Sequence, residues 1–127
     1  MIVLDASVLI AHLDSADAHH ENAQSLLEKS GGEALGASAI TLAETFVSPA
    51  RAGRLSEAET AMQRLGVEEI PVGTATARRL AILRAETRMK MPDCCVLLAA
   101  LEQEAILASF DTSLLAAARE LGLKTAP

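Results

Sequence analysis

The sequence has no tryptophan and no tyrosine, and Phe46 and Phe110 are its two phenylalanines. Any core must therefore be built from Ala, Leu, Val and Ile. Cysteine is almost as scarce. Cys94 and Cys95 are adjacent and there are no others, so no disulfide can staple the fold and no C-x-x-C spacing exists for zinc or redox chemistry. Set in an apolar helical run, they read as two small buried thiols. No apolar stretch approaches the roughly 18 residues of a membrane span. The N-terminus lacks a basic region and Asp5 interrupts its apolar residues, which argues against a signal peptide. A cytoplasmic location with no membrane partner is the expectation. No Gly-rich phosphate loop and no Ser-His-Asp pattern is present. Excess positive charge is also missing. The net charge of −6 disfavours a general nucleic-acid binder, whose domains are usually basic.

What is present suits one domain over residues 1–127, with hydrophobic residues at 50%. Ile2, Val3 and Leu4 form a short β-branched run that ends on a carboxylate, Asp5. Ser7 follows, and Val8, Leu9, Ile10, Ala11 and Leu13 return at helical spacing. Asp17 is a possible N-cap for a helix over 18–29, closed by Gly31-Gly32. A weak strand is placed at 34–37. Ser38 then caps a helix carrying Ile40, Leu42, Ala43, Glu44, Phe46 and Val47, which Pro49 and Gly53 should break. Ser56 and Glu59 suggest a capping box opening a helix to Leu65. A third strand is expected over 67–72, with Ile70 and Val72 inside. A long helix over 74–88 should turn Ala77, Leu80, Ala81, Leu83 and Ala85 inward. Pro92 suits a first helical position, opening a very apolar helix over 92–103. A fourth strand over 105–109 leads to Asp111, a potential cap for a helix over 112–121. Residues 123–125 offer a last short strand. Strand and helix alternate throughout, which implies a mainly parallel sheet with helices on both faces.

Two groups of polar residues invite a functional reading. His19 and His20 are neighbours, so a helix splays them about 100° apart, and no third ligand lies at i+4. First-turn surface histidines describe them better than a metal site does. Arg78, Arg79, Arg84, Arg88 and Lys90 place five of the eleven basic residues in thirteen positions. They are either the solvated face of a helix or a local phosphate-attracting patch.

Four acids stand beside apolar elements: Asp5 after the first strand, Glu44 on the helix after the second, Asp93 opening the helix before the fourth, and Asp111 just beyond the fourth. Each has an ordinary explanation as a cap or a solvent-facing charge. If the first and fourth strands are neighbours, however, Asp5 and Asp111 meet at the sheet's carboxyl edge, where chain order reverses. Carboxylates within about 5 Å of one another cost about 3 kcal/mol per pair at an effective dielectric near 20. Such a cluster must take up protons or bind a cation, and an all-oxygen set suits Mg²⁺ or Mn²⁺.

Met1-Ile2-Val3-Leu4-Asp5-Ala6-Ser7, Thr41-Leu42-Ala43-Glu44, Pro92-Asp93 before an Ala/Leu-rich helix, and Ser109-Phe110-Asp111 resemble the four acidic motifs of a PIN domain. Their order and spacing are similar to those of the VapC toxins of toxin–antitoxin pairs, over essentially the whole chain. The resemblance implies a three-layer α/β/α fold with a five-stranded sheet of order 3-2-1-4-5. It also implies a Mg²⁺/Mn²⁺-dependent endoribonuclease, usually a homodimer, held inactive by a small antitoxin of VapB type. Asp5, Glu44, Asp93 and Asp111 match the catalytic acids, with Asp5, Asp93 and Asp111 as metal ligands. Ser7 and Ser109 match supporting hydroxyl positions. Ser113 departs from the pattern, since many relatives carry another acid there. RNA is the implied substrate, with the cations from Arg78 to Lys90 as candidate backbone contacts. With so few aromatic residues, shape and phosphate contacts are favoured over broad base stacking.

Two other readings compete. A haloacid-dehalogenase-like phosphatase using Asp5 as nucleophile would want a second Asp two residues on, where Ser7 stands. A PIN-fold interaction module that has lost turnover is the main alternative. The four retained acids argue against it, and Ser113 keeps it open.

Overall fold

The unbroken Ile-Val-Leu run is what a strand covered on both faces requires, because such a strand cannot alternate polar and apolar residues. In the computed structural model, which describes residues 1–127, this run is β1 (Ile2–Leu4), and all three residues are buried. β2 (Leu35–Ser38) and β4 (Ile106–Ala108) flank it, with β3 (Val67–Ile70) outside β2 and β5 (Thr125–Ala126) outside β4. Every pairing is parallel and the order is β3-β2-β1-β4-β5, as expected. Chain order reverses beside β1, and the register sets Leu4 against Ala108, so Asp5 and Ser109 leave the sheet side by side.

Seven helices cover the two faces: α1 (Ala6–Leu13), α2 (His20–Lys29), α3 (Ala39–Arg51), α4 (Leu55–Leu65), α5 (Thr76–Thr87), α6 (Met91–Glu102) and α7 (Thr112–Glu120). The period-2 alternation of strand side chains divides the core in two. Ile2 and Leu4 point into one layer with Val8, Leu9, Leu42 and Met62. Val3 points into the other with Leu97, Leu107 and Leu114. α6 is buried all round, from Cys94 to Ala100. Cys94 and Cys95 are free and buried there, small enough to let the helix approach the sheet. No helix is long and apolar enough to cross a membrane.

Several local expectations are corrected. α4 starts at Leu55, so Ser56 lies inside the helix and forms no capping box. Arg54 instead grips Glu57 at 2.9 Å, an exposed pair of little energetic weight. Pro49 does not break α3, which continues to Arg51. In the last turn a proline forfeits one bond, while Thr41, Leu42 and Thr45 hold the buried face. Ile40, Ala43 and Val47 of α3 and Ile10 of α1 are exposed. α5 turns only Thr76 and Leu83 fully inward, with Leu80 half-buried and Ala77, Ala81 and Ala85 exposed. It packs mainly on α6, and one neighbour demands only a narrow stripe. β3 stops at Ile70, leaving Val72 49% exposed. Glu68 and Glu69 lie within this outer strand, both facing solvent.

Leu97 on α6 is wholly buried. Leu97→Ala should cost about 2–5 kcal/mol through lost burial and an unfilled cavity. Urea unfolding monitored by circular dichroism would read this as a lower midpoint with an unchanged slope.

Candidate active site

Asp5 occupies the N-cap position of α1, and its carbonyl oxygen accepts from the amides of Val8 and Leu9. Its carboxylate makes no capping bond. It serves instead as the meeting point of two hydroxyls. Ser7 Oγ and Ser109 Oγ each donate to Asp5 Oδ2 at 2.7 Å. A serine hydroxyl has one proton, so both are spent on this oxygen, and the 3.3 Å approach of the two hydroxyls is a packing contact. Their lone pairs are used as well. The Phe110 amide donates to Ser7 Oγ at 3.1 Å, and the Asp111 amide donates to Ser109 Oγ at 2.9 Å. The start of α1 is thereby tied to the loop after β4. Both bonds fall on Oδ2, so Oδ1 is left available to a ligand.

Asp111 is the N-cap of α7 and accepts from the amides of Ser113 and Leu114 through Oδ1 alone. The capping role expected of it is present, and Oδ2 remains outside it. Ser113, the departure from the family pattern, contributes its amide to this cap. Asp93 lies in the first turn of α6, where the helix dipole favours an anion. Glu44 projects from α3.

These four acids sense one another. Glu44 titrates above the usual carboxylate range, first through partial desolvation, then through the charges of Asp5 and Asp93. Asp93 is raised for the same leading reason, then by Asp5 and Asp111, with Lys90 opposing. All four expected acids thus face one edge of the sheet, though no three His, Cys, Asp or Glu side chains converge into a ready metal cage. Carboxylates close to one another repel, which disfavours a tighter cluster. The donor chemistry fits a hard divalent ion. The four acids offer only oxygen, and both neighbouring thiols, Cys94 and Cys95, are pushed up first by burial.

The basic stretch does not act as one patch. Arg79 is paired to Glu102 at 2.7 Å. Lys90, the N-cap of α6, is the basic residue whose charge reaches Asp93. Arg84 lies near Cys94 instead, and Arg78 and Arg88 are exposed. His19 and His20 are engaged separately. His20 Nδ1 donates to the Ala11 carbonyl at 2.7 Å, while His19 stacks on Phe110 with centroids 4.7 Å apart. Composition gave no hint of that stack, because a histidine supplies one ring. A groove of about 470 Å³ between α1, α3 and α4 was also not anticipated. Ile10, Leu13, Pro49 and Ala58 line it, and Glu44 stands at its border. Only the packing of three separate helices reveals it.

The PIN domain family model matches residues 2–120. No curated protein sequence matches the chain. Among solved structures, one described as a toxin–antitoxin complex from Klebsiella pneumoniae shares 24% identity at a TM-score of 0.74, covering 88% of each chain. Mycobacterium tuberculosis VapC20, described as a sarcin–ricin-loop-cleaving toxin, shares 22% identity at a TM-score of 0.74, over 92% of this chain and 95% of its own. FitAcB from Neisseria gonorrhoeae shares 20% at a TM-score of 0.75, over 100% of this chain and 97% of its own. At these identities the likeness concerns the fold.

The raised carboxylates make a signed prediction. A group whose folded pKa lies above its unfolded value favours folding while protonated, so stability falls as pH rises from about 4 through the folded values of Glu44 and Asp93. Thermal melts without divalent ions should show Tm declining across that window relative to Glu44→Gln/Asp93→Asn. Mn²⁺ should restore Tm in the native chain and not in the double variant.

Proposed function

The chain belongs to the PIN domain family, and we propose that it is a divalent-metal-dependent endoribonuclease, the toxin of a toxin–antitoxin pair. The observation that carries this reading is the clasp of Ser7 and Ser109 on one oxygen of Asp5 at the sheet edge where Asp111 follows β4, with Glu44 and Asp93 raised first by desolvation and then by the Asp5 charge. The printed descriptions of the K. pneumoniae complex and of VapC20 support the biological class.

Asp5, Asp93 and Asp111 are the residues to hold Mg²⁺ or Mn²⁺, through oxygens not consumed by hydroxyls or cap amides. Bound there, such an ion supplies Lewis acidity at a phosphate and lowers the pKa of water. Ser7 and Ser109 keep Asp5 from rotating and so hold its free oxygen toward the site. Glu44, with its raised pKa, is suited to take a proton from the attacking water near neutral pH. Lys90, whose charge reaches Asp93, is the first candidate to meet a backbone phosphate of the RNA. Arg78, Arg84 and Arg88 are further candidates, whereas Arg79 must first leave Glu102.

The remaining parts of the reading are a homodimer and an antitoxin of VapB type. The groove bordered by Glu44 offers that antitoxin an apolar floor in Ile10, Leu13, Pro49 and Ala58. The rival module without turnover would keep this groove and leave RNA intact.

Purified chain incubated with structured RNAs should cleave with Mg²⁺ or Mn²⁺ and stop on adding chelator. Asp5→Asn and Asp93→Asn should each retain the native circular dichroism spectrum and lose cleavage by about 100-fold or more, as expected when a transition-state charge partner is removed. Cleavage that survives chelator, or survives both substitutions, contradicts the metal mechanism. Ser109→Ala should weaken Mn²⁺ binding roughly 10- to 100-fold through loss of the bond to Asp5, measurable by calorimetry.

A further inference from the structure

The chain has no Tyr or Trp, yet it builds one aromatic stack. The His19 and Phe110 rings lie 4.7 Å apart and 13° from parallel. The two rings differ in setting. Phe110 is half-buried against the core layer that holds Leu9 and Leu4. His19 is exposed, so its outer face looks into solvent. A surface histidine would ordinarily sample several rotamers, but the backbone beneath this one is pinned. Its amide donates to Asp17 Oδ1 at 2.8 Å, and its carbonyl accepts from the Ala23 amide at 2.8 Å.

The stack is also joined to the acidic edge. Phe110 lies between Ser109 and Asp111 in the chain, so its Cα is about 3.8 Å from each of theirs. Its amide donates to Ser7 Oγ, the hydroxyl that donates to Asp5. One backbone segment therefore carries both the floor of the stack and a margin of the acidic edge. A flat, exposed, preorganised π-face beside a phosphodiester site has one matching chemical partner in RNA, an unstacked nucleobase. Such faces accept any base, because every base has a π-surface, and stacking of this kind suits single-stranded regions.

We propose that the His19–Phe110 stack is a platform for one nucleobase of the bound RNA strand, flanking the scissile phosphate on the Asp111 side. The proposal rests on the nuclease reading above and adds a contact that selects unpaired RNA. His19 binds and orients substrate and takes no part in the chemical step. Phe110 serves as the floor beneath it.

The test compares His19→Ala with His19→Trp, the latter placing the only tryptophan in the chain. Cleavage of a short single-stranded RNA oligonucleotide of mixed sequence should show KM raised roughly 10-fold in His19→Ala with kcat little changed, and KM near native in His19→Trp. In an Asp93→Asn background, fluorescence of His19→Trp should be quenched on titration with that oligonucleotide. Moving a single abasic position along the strand should abolish quenching at one place only. Native kinetics in His19→Ala, or quenching indifferent to every abasic position, overturns the platform while leaving the nuclease reading standing. A native chain that cleaves no RNA overturns both. A stack that merely covers the core would lower the Tm of His19→Ala and leave KM unmoved, which also overturns the proposal.

Discussion

Like-charge repulsion at the carboxyl edge of the sheet is the constraint around which the rest of the structure is arranged. Four acids are carried on four different elements: the end of β1, the middle of α3, the start of α6 and the start of α7, and two of them, Glu44 and Asp93, are raised by partial desolvation and then by acidic neighbours. No local interaction can hold such a set together. Distant packing must do it, and the packing is strongest where it is needed. β1 and β4 are central strands, and α6 has seven consecutive buried residues. The bonds from Ser7 and Ser109 to one oxygen of Asp5 convert that global rigidity into a defined side-chain orientation.

The opposing forces differ in range and strength. Burial of the aliphatic core acts over the whole domain and contributes about 25 cal/mol for each Å² of apolar surface removed from water. The repulsion is local and partly screened, since Glu44 and Asp93 keep contact with solvent. A fold held by its two core layers can therefore carry an acidic edge that is unfavourable in isolation. Helix starts help. Asp93 and Asp111 sit where exposed amides and the positive helix end favour a carboxylate, so two of the four charges are partly offset by the backbone itself.

Much of this was legible in the residues. The apolar run at Ile2–Leu4, the cap at Ser38 and the aspartate cap of α7 are local signals with local causes, and each appears where the chemistry places it, while Pro92 falls one residue inside α6, which opens at Met91. The four acids were legible by position along alternating elements. Errors arose where tertiary context decides. Ala77, Ala81 and Ala85 were expected inside because alanine is apolar, but α5 has one main neighbour and needs only Thr76, Leu80 and Leu83 on that side. The Ser56–Glu59 pattern was genuine as a pattern, yet α4 starts one residue earlier, at Leu55, and places Ser56 inside the helix. Nearness in sequence hid the different surroundings of the basic residues, which separate Arg79 on Glu102 from Lys90 near Asp93. The His19–Phe110 stack joins residues too far apart in the chain for any spacing rule to pair them.

The two outer strands give the sheet its limits. β3 faces water with Glu68 and Glu69 side by side, and β5 is only two residues long and is followed by Pro127, which has no N–H to offer. An open parallel sheet leaves unpaired hydrogen-bonding groups along both margins, and those margins invite further strands. Here another molecule approaching β3 edge to edge would set its own acids against two fixed negative charges, and one approaching β5 would find almost no ladder to extend. The sheet is thus closed to growth by charge on one side and by brevity on the other.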